Sequence, residues 1–100
     1  MSALQSQVIA RVEQCIAHAN QRLNKRLPMP AVSFRQRGKI AGSARLQGWE
    51  VRFNPVLVEE NPQAFLDEVV PHEVAHLVTG AQGEGNYANL LRRLKAAQAA

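Results

Sequence analysis

Two histidines and a glutamate in the second half of the chain have the types and the spacing of a metal site. His72, Glu73 and His76 form an H-E-x-x-H motif. Four residues of helix correspond to about 400° of rotation, so the two imidazoles would lie one turn apart on one face, where both could reach a single zinc ion. Glu73 could accept a proton from water that attacks a carbonyl and return it to the leaving amine. The motif therefore predicts zinc-dependent hydrolysis of peptide bonds.

The residues around the motif predict the helix that such a site requires. Asn61 and Pro62 have the types of a helix N-cap and a first helical residue, and apolar residues follow at helical spacing. Pro71 either kinks this helix or begins a second one that carries the motif, and Gly80 is expected to close it. The alternative is that the motif is only the polar surface of an amphipathic helix. Its core side would then consist of Val74, Leu77 and Val78.

The remainder of the chain predicts an α+β domain. An apolar stripe indicates a first helix over about residues 3–26, ended by Pro28 and Pro30. Alternating residues predict strands at 32–37, weakly at 44–47 and clearly at 49–54, with a hairpin around Gln47 and Gly48. A last helix is expected over about 86–98. The stripe of the first helix consists of Leu4, Val8, Val12, Cys15, Ala19 and Leu23.

Length and composition bound the classes of protein that this chain could be. One hundred residues, of which 46% are apolar, predict a single domain over residues 1–100. Cys15 is the only cysteine, so the chain has neither an internal disulfide nor a cysteine-rich zinc site of its own. No apolar run exceeds three residues, which excludes a membrane span within this sequence. We expect a cytoplasmic protein with no membrane partner.

The net charge of +4 is divided unevenly along the chain. Residues 1–54 carry nine basic and two acidic side chains, whereas residues 55–100 carry three basic and six acidic ones. Such a basic half is either a solvated surface or a patch that faces a polyanion such as nucleic acid. The candidates for contacts with nucleic acid are Arg35, Arg37, Lys39, Arg45 and Arg52.

Three segments of the sequence resemble the SprT-like zinc metallopeptidase family. The matching segments are residues 33–42, with a strand and a glycine turn, residues 51–57, with an Asn-Pro exit, and residues 69–77, with the H-E-x-x-H helix. The eukaryotic relatives of this family include the Spartan protease, which degrades proteins crosslinked to DNA. The resemblance covers residues from about 4 to 78. It implies a zincin-like fold built of an N-terminal helix, a small three-stranded antiparallel sheet, the H-E-x-x-H helix and a C-terminal helix.

The resemblance also implies roles for individual residues. His72 and His76 would be zinc ligands and Glu73 the catalytic base, acting on a protein or peptide substrate that can be associated with DNA. The family's third histidine ligand and its C-terminal cysteine region have no counterpart in this sequence. Glu84 is either a substitute third ligand or an exposed carboxylate in a turn. The alternative function is a catalytically incompetent, basic nucleic-acid-binding domain that keeps the family fold with an incomplete metal site.

Overall fold

An N-terminal helix, a three-stranded sheet and a helical C-terminal stretch make up this computed structural model, which describes residues 2–82. The α+β class and the predicted order of helix, strands and helices are confirmed. The helix expected over 86–98 lies outside the described residues. The elements are α1 (Ala3–Leu23), β1 (Ala31–Ser33), β2 (Gly42–Arg45), β3 (Glu50–Phe53), α2 (Pro55–Glu60), α3 (Pro62–Ala64), a π-helical turn (Phe65–Val69) and α4 (Val70–Gln82).

Helix α1 supplies one side of the core through the predicted apolar stripe. Its first turn is capped by Ser2, whose hydroxyl accepts a hydrogen bond from the Gln5 backbone N–H at 3.0 Å. The helix ends at Leu23, before the predicted end near residue 26. Asn24 adopts a left-handed conformation with φ of 54° and its N–H donates to the Asn20 carbonyl, a C-cap that stops the helix ahead of the two prolines.

The sheet is mixed, so the prediction of an all-antiparallel sheet was wrong. The strand order is β1-β3-β2, with β3 in the centre. β2 and β3 form the predicted antiparallel hairpin, in which Gly42 lies opposite Phe53. β1 lies on the far side of β3 and runs parallel to it, with Val32 opposite Val51. The segment 34–41 connects the two outer strands, and a strand that is not joined to its neighbour by a hairpin is free to run parallel.

Strand β1 is shorter than the predicted 32–37 because its partner strand is short. β3 ends at Phe53, where Asn54 and Pro55 begin a helix. Beyond Ser33, one further backbone hydrogen bond joins this segment to β3, from the Gln36 N–H to the Phe53 carbonyl at 3.3 Å. Residues 34–41 are therefore a loop, although the sequence of 34–37 alternates as a strand would.

The turn of the hairpin spans residues 46–49 and includes Gln47 and Gly48, as predicted. Gly48 has a φ of 93° and Trp49 a φ of 51°, so Trp49 belongs to the turn rather than to the predicted strand. The Trp49 indole N–H donates to the Pro28 carbonyl at 2.7 Å. This bond ties the hairpin to the segment that follows α1.

The helical stretch after the sheet begins earlier than predicted, at Pro55. Asn54 caps α2 through its side chain, which accepts from the Val56 N–H at 3.0 Å. Asn61 occupies the predicted N-cap of α3 but makes no capping hydrogen bond with its side chain. Pro71 was expected either to kink the helix or to begin a second one, and the structure places it in the first turn of α4, which begins at Val70. The π-helical turn leads directly into α4, which passes the expected stop at Gly80 and reaches Gln82, the last described residue.

The core lies between α1, the inner face of β3 and the buried side of α4. The Phe53 and Phe65 rings meet edge to face, with centroids 5.4 Å apart. None of the helices in the described part of the chain combines the length and apolar character that a membrane-spanning segment needs. The buried apolar residues are Val8, Val12, Cys15, Ile16, Ala19, Val51, Phe53, Val58, Phe65, Leu66, Val70, Val74, Ala75, Leu77 and Val78.

Candidate functional site

The two motif histidines lie side by side on the exposed face of α4. Both imidazoles are solvent-exposed, and their ring centroids are 4.7 Å apart at an interplanar angle of 78°. The opposite side of α4 is anchored in the core by Val74, Leu77 and Val78, each fully buried. The amphipathic helix of the alternative interpretation is therefore present, and it holds the two imidazoles together on a rigid element.

Glu73 differs from the histidines because it is buried. It is 7% exposed, and burial raises the pKa of its carboxyl by penalising the charged form. It packs against Gly42 at the start of β2, where a Cβ atom on the glycine would lie 3.1 Å from the Glu73 Cγ. A mostly buried glutamate with a raised pKa has the properties of a proton acceptor.

A cleft of about 280 Å³ opens beside Glu73, between α4 and the sheet. Its sheet side is made by Ala41 and Gly42, and its helix side includes His72 and Glu73. Val69 and Glu68, from the π-helical turn, complete the lining. The cleft therefore brings an imidazole and the buried carboxylate of the motif to one open surface.

The structure does not extend the motif to a third metal ligand. Within residues 2–82, no group of three or more histidine, cysteine, aspartate or glutamate side chains is close enough together to hold a metal ion. Glu84, the predicted third ligand, lies outside the described residues. The donor set that the structure does bring together consists of the His72 and His76 imidazoles, with the Glu73 carboxylate beside them.

The sheet side of the cleft is held in place by Asn54, which is 3% exposed. Its amide nitrogen donates to the Gly38 carbonyl at 2.9 Å and to the Ile40 carbonyl at 3.3 Å. Its backbone N–H donates to the Ala41 carbonyl at 2.8 Å. One side chain thus fixes the loop that leads into Gly42.

The five basic residues predicted to contact nucleic acid fall into two groups. Arg35, Arg37 and Lys39 are exposed in the loop between β1 and β2, which we name the basic loop. Arg45 and Arg52 lie on β2 and β3, on either side of Glu50. The Arg52 Nε lies 3.1 Å from a Glu50 carboxylate oxygen, and this contact lowers the pKa of the Glu50 carboxyl. The three cations of the basic loop are therefore exposed in one loop, whereas Arg52 forms an ion pair with Glu50.

Sequence reasoning missed the contributions of Gly42 and Asn54. Gly42 was expected only to bracket a turn, and the Asn54-Pro55 pair only to end a strand. The signal for Asn54 was present, because an asparagine before a proline is typical of a helix start. Nothing in the sequence indicates that Gly42 touches Glu73, since that contact depends on how the sheet packs against α4.

Comparison with known proteins finds similar sequences over most of the chain. The model of the SprT-like family matches residues 12–88. The chain is 56% identical over 75 residues to Protein SprT of Erwinia tasmaniensis, which covers 75% of this chain and 44% of that protein. It is 52% identical over 75 residues to Protein SprT of Photorhabdus laumondii, and the match covers 75% of this chain and 39% of that protein. It is 49% identical over 76 residues to Protein SprT of Escherichia coli, and the match covers 76% of this chain and 46% of that protein.

The chain thus spans less than half of the length of these curated relatives. No solved structure matches it at a significant level. The family model covers the H-E-x-x-H helix, the whole sheet and most of α1. A match of this extent, together with relatives at about half identity, shows that the chain belongs to the SprT-like family.

Proposed function

We propose that this chain is a zinc-dependent metallopeptidase domain that hydrolyses peptide bonds, including those of proteins associated with DNA. The observation that carries the proposal is the arrangement on α4: two exposed imidazoles with ring centroids 4.7 Å apart, next to a buried glutamate that lines an open cleft. Membership of the SprT-like family supports the same function. A cytoplasmic location is part of the proposal and is supported by the single, buried Cys15.

The donor chemistry of the site fits zinc. Neutral imidazoles are common zinc ligands, and those of His72 and His76 lie on one exposed face, one helical turn apart. Two protein ligands leave the remaining coordination positions for water, substrate or a donor from outside the described residues. A bound zinc ion would polarise the scissile carbonyl and make water at the site more acidic.

Glu73 would act as the general base. Its carboxylate lies at the wall of the cleft, and burial raises its pKa toward the range in which a carboxylate removes a proton from water effectively. The proton taken from the attacking water would then pass to the amine that leaves. Because residue 42 is a glycine, no side chain from β2 fills the space beside Glu73, so the carboxylate would stay accessible from the cleft.

Strand β2 would align the substrate. It is an edge strand in the described sheet, because β3 is its only strand partner there, and its first residue Gly42 lines the cleft. An extended peptide that pairs with this edge would run past Glu73 and His72. The small size of Ala41 and Gly42 would leave room in the cleft for a substrate side chain.

The basic loop supports the association with DNA. Arg35, Arg37 and Lys39 are exposed and precede Ala41, which lines the cleft. Contacts between these cations and phosphates would bring the cleft close to proteins on the nucleic acid. The charge of the loop would therefore affect where cleavage happens rather than how fast the bond breaks.

Cleavage of casein by the zinc-loaded chain tests the proposal. Wild type should cleave, and Glu73→Gln should lose activity by about 100-fold or more while retaining its zinc, because the amide cannot accept the proton. Glu59→Gln, which makes the same change on the exposed side of α2, is the matched control and should cleave like wild type. Equal activity in wild type and Glu73→Gln would remove Glu73 from the mechanism.

The same preparation separates the alternative function from the leading one. A chain that binds DNA in a salt-dependent manner but neither binds zinc nor cleaves casein would be a non-catalytic binding domain of the family. Zinc binding together with cleavage would reject that alternative.

A further inference from the structure

A side chain of α1 reaches the helix junction immediately before the H-E-x-x-H motif. The Arg11 guanidinium donates to the Leu66 carbonyl at 3.1 Å and to the Asp67 carboxylate at 3.2 Å. Arg11 and its two partners are separated by more than 50 positions in sequence, so this contact joins α1 to the π-helical turn that precedes α4. Asp67 is five residues before His72 in the sequence, and this position next to the motif distinguishes the contact from an ordinary surface ion pair.

The Leu66 carbonyl needs this donor because no backbone N–H can serve it. In an α-helix its partner would be the N–H of Val70, but in the π-helical turn that N–H donates to the Phe65 carbonyl instead. The next residue along, which would serve Leu66 in the π-helical pattern, is Pro71, and proline has no N–H. Leu66 is 8% exposed, and a buried carbonyl without a partner is costly. Arg11 supplies the hydrogen bond that Pro71 lacks.

The guanidinium is itself held in place. Asp67 binds it through one carboxylate oxygen, and Gln63 donates to both oxygens of the same carboxylate at 3.1 and 3.0 Å. Both bonds of Arg11 come from the same nitrogen, Nη1, which is shared between the Leu66 carbonyl and the Asp67 carboxylate. The network therefore fixes the helix at the turn from which α4 starts.

We propose that Arg11 is a positioning residue for His72 and Glu73. By completing the hydrogen bonds of the turn at Leu66 and Pro71, it sets the direction in which the first turn of α4 presents the motif. This role rests on the function proposed above, because it concerns the geometry of the same site. The two residues that accept hydrogen bonds from Arg11, Leu66 and Asp67, do not line the cleft, so Arg11 would act through the helix backbone.

Substitution of Arg11 by methionine tests the proposal, since methionine keeps the length of the side chain and removes its donors. Zinc affinity, measured by competition with a chelating dye, should fall by about tenfold, as expected for the loss of a contact that orients metal ligands. In the zinc-free protein, amide hydrogen exchange at 72–74 should become faster. Unchanged zinc affinity and unchanged exchange would overturn the positioning role.

Asn20→Ala is the matched control for a loss of stability alone. Asn20 is also a residue of α1 whose side chain bonds to backbone groups elsewhere, through two hydrogen bonds of 2.9 Å with Leu27. It lies nine residues after Arg11 on the helix. This variant should lower the melting temperature and leave both the zinc affinity and the exchange at 72–74 as in wild type. Equal losses of zinc affinity in Asn20→Ala and Arg11→Met would overturn the proposal.

A second substitution should rescue the first. Pro71→Ala restores an N–H within reach of the Leu66 carbonyl, so the double variant Arg11→Met/Pro71→Ala should recover much of the lost zinc affinity and amide protection. Failure of this rescue, with the double variant folded, would contradict the assignment of the Leu66 carbonyl as the group that Arg11 serves. A wild-type chain that binds no zinc would instead overturn the proposed function, and the exchange measurements would still report on Arg11.

Discussion

Gly42 on β2 faces Glu73 on α4 across the junction between the sheet and the helix, and the space between them is too small for a side chain at residue 42. A Cβ atom there would lie 3.1 Å from the Glu73 Cγ and 3.0 Å from the Arg52 carbonyl oxygen. Both distances are shorter than ordinary van der Waals contacts. The substitution Gly42→Ala should therefore destabilise the domain by about 1–3 kcal/mol, the cost of overpacking, as measured by urea denaturation.

A double-mutant cycle separates Glu73 from the other two neighbours of that Cβ, the Arg52 carbonyl and the Phe53 ring. In a Glu73→Ala background the Glu73 Cγ is gone, so the penalty of Gly42→Ala should shrink, leaving the part that is due to Arg52 and Phe53. An identical penalty in both backgrounds would show that Gly42 is needed only for the pairing of β2 with β3.

Two Asn-Pro pairs with the same sequence signature should respond differently to substitution. The Asn54 side chain makes three hydrogen bonds and is buried, whereas Asn61 makes no capping bond with its side chain. Asn54→Ala should cost about 2 kcal/mol or more, because buried backbone groups lose their partners. Asn61→Ala should cost about 0.5 kcal/mol or less. Denaturant unfolding of the two variants checks the difference, and similar costs would contradict the role given to Asn54.

The Asp67 network predicts a dependence of stability on pH. Hydrogen bonds from Gln63 and Arg11 lower the pKa of the Asp67 carboxyl below its ordinary value of 3.8. The native state thus favours the ionised form of Asp67. The contribution of this carboxylate to the free energy of unfolding is complete above pH 3.8 and disappears as the pH falls through the lowered pKa. Asp67→Asn should be less stable than wild type at pH 6, and the difference should narrow below pH 3.8. A difference that stays constant across this range would contradict the assignment.

The basic loop predicts how DNA affinity depends on salt. Replacement of Arg35, Arg37 and Lys39 by glutamine should weaken binding and lower the slope of log affinity against log salt by about two to three, since each phosphate contact contributes about 0.9. Arg52→Gln should change the slope little, because Arg52 already pairs with Glu50. Fluorescence anisotropy with a labelled duplex provides the measurement. A slope that drops equally in both variants would show that the loop is not the contact surface.

The parts of the structure that sequence reasoning predicted are those governed by local rules. The stripe that includes Val8 and Val12, the hairpin at Gly48 and the helical placement of His72 and His76 all follow from periodicity and turn chemistry. The burial of Glu73 could not be predicted in this way. It depends on Gly42, from a strand 31 positions earlier in the sequence, packing against α4.

The errors also have physical causes. Residues 34–37 alternate like a strand, but β3 ends at Phe53 and leaves them no strand to pair with. The tertiary structure therefore overrides the local pattern. The parallel direction of β1 follows from its position on the far side of β3, which spacing alone does not reveal. Pro71 predicted a kink or the start of a new helix, and the structure places it in the first turn of α4, directly after a π-helical turn in which the Leu66 carbonyl accepts a hydrogen bond from Arg11.

The most direct test of the account is the zinc content of the chain purified without chelator. We expect close to one zinc ion per chain in wild type and a background level in the double variant His72→Ala/His76→Ala, with both proteins folded by circular dichroism. Zinc at background in wild type, or equal zinc in both proteins, would contradict the assignment of the two histidines as the metal site.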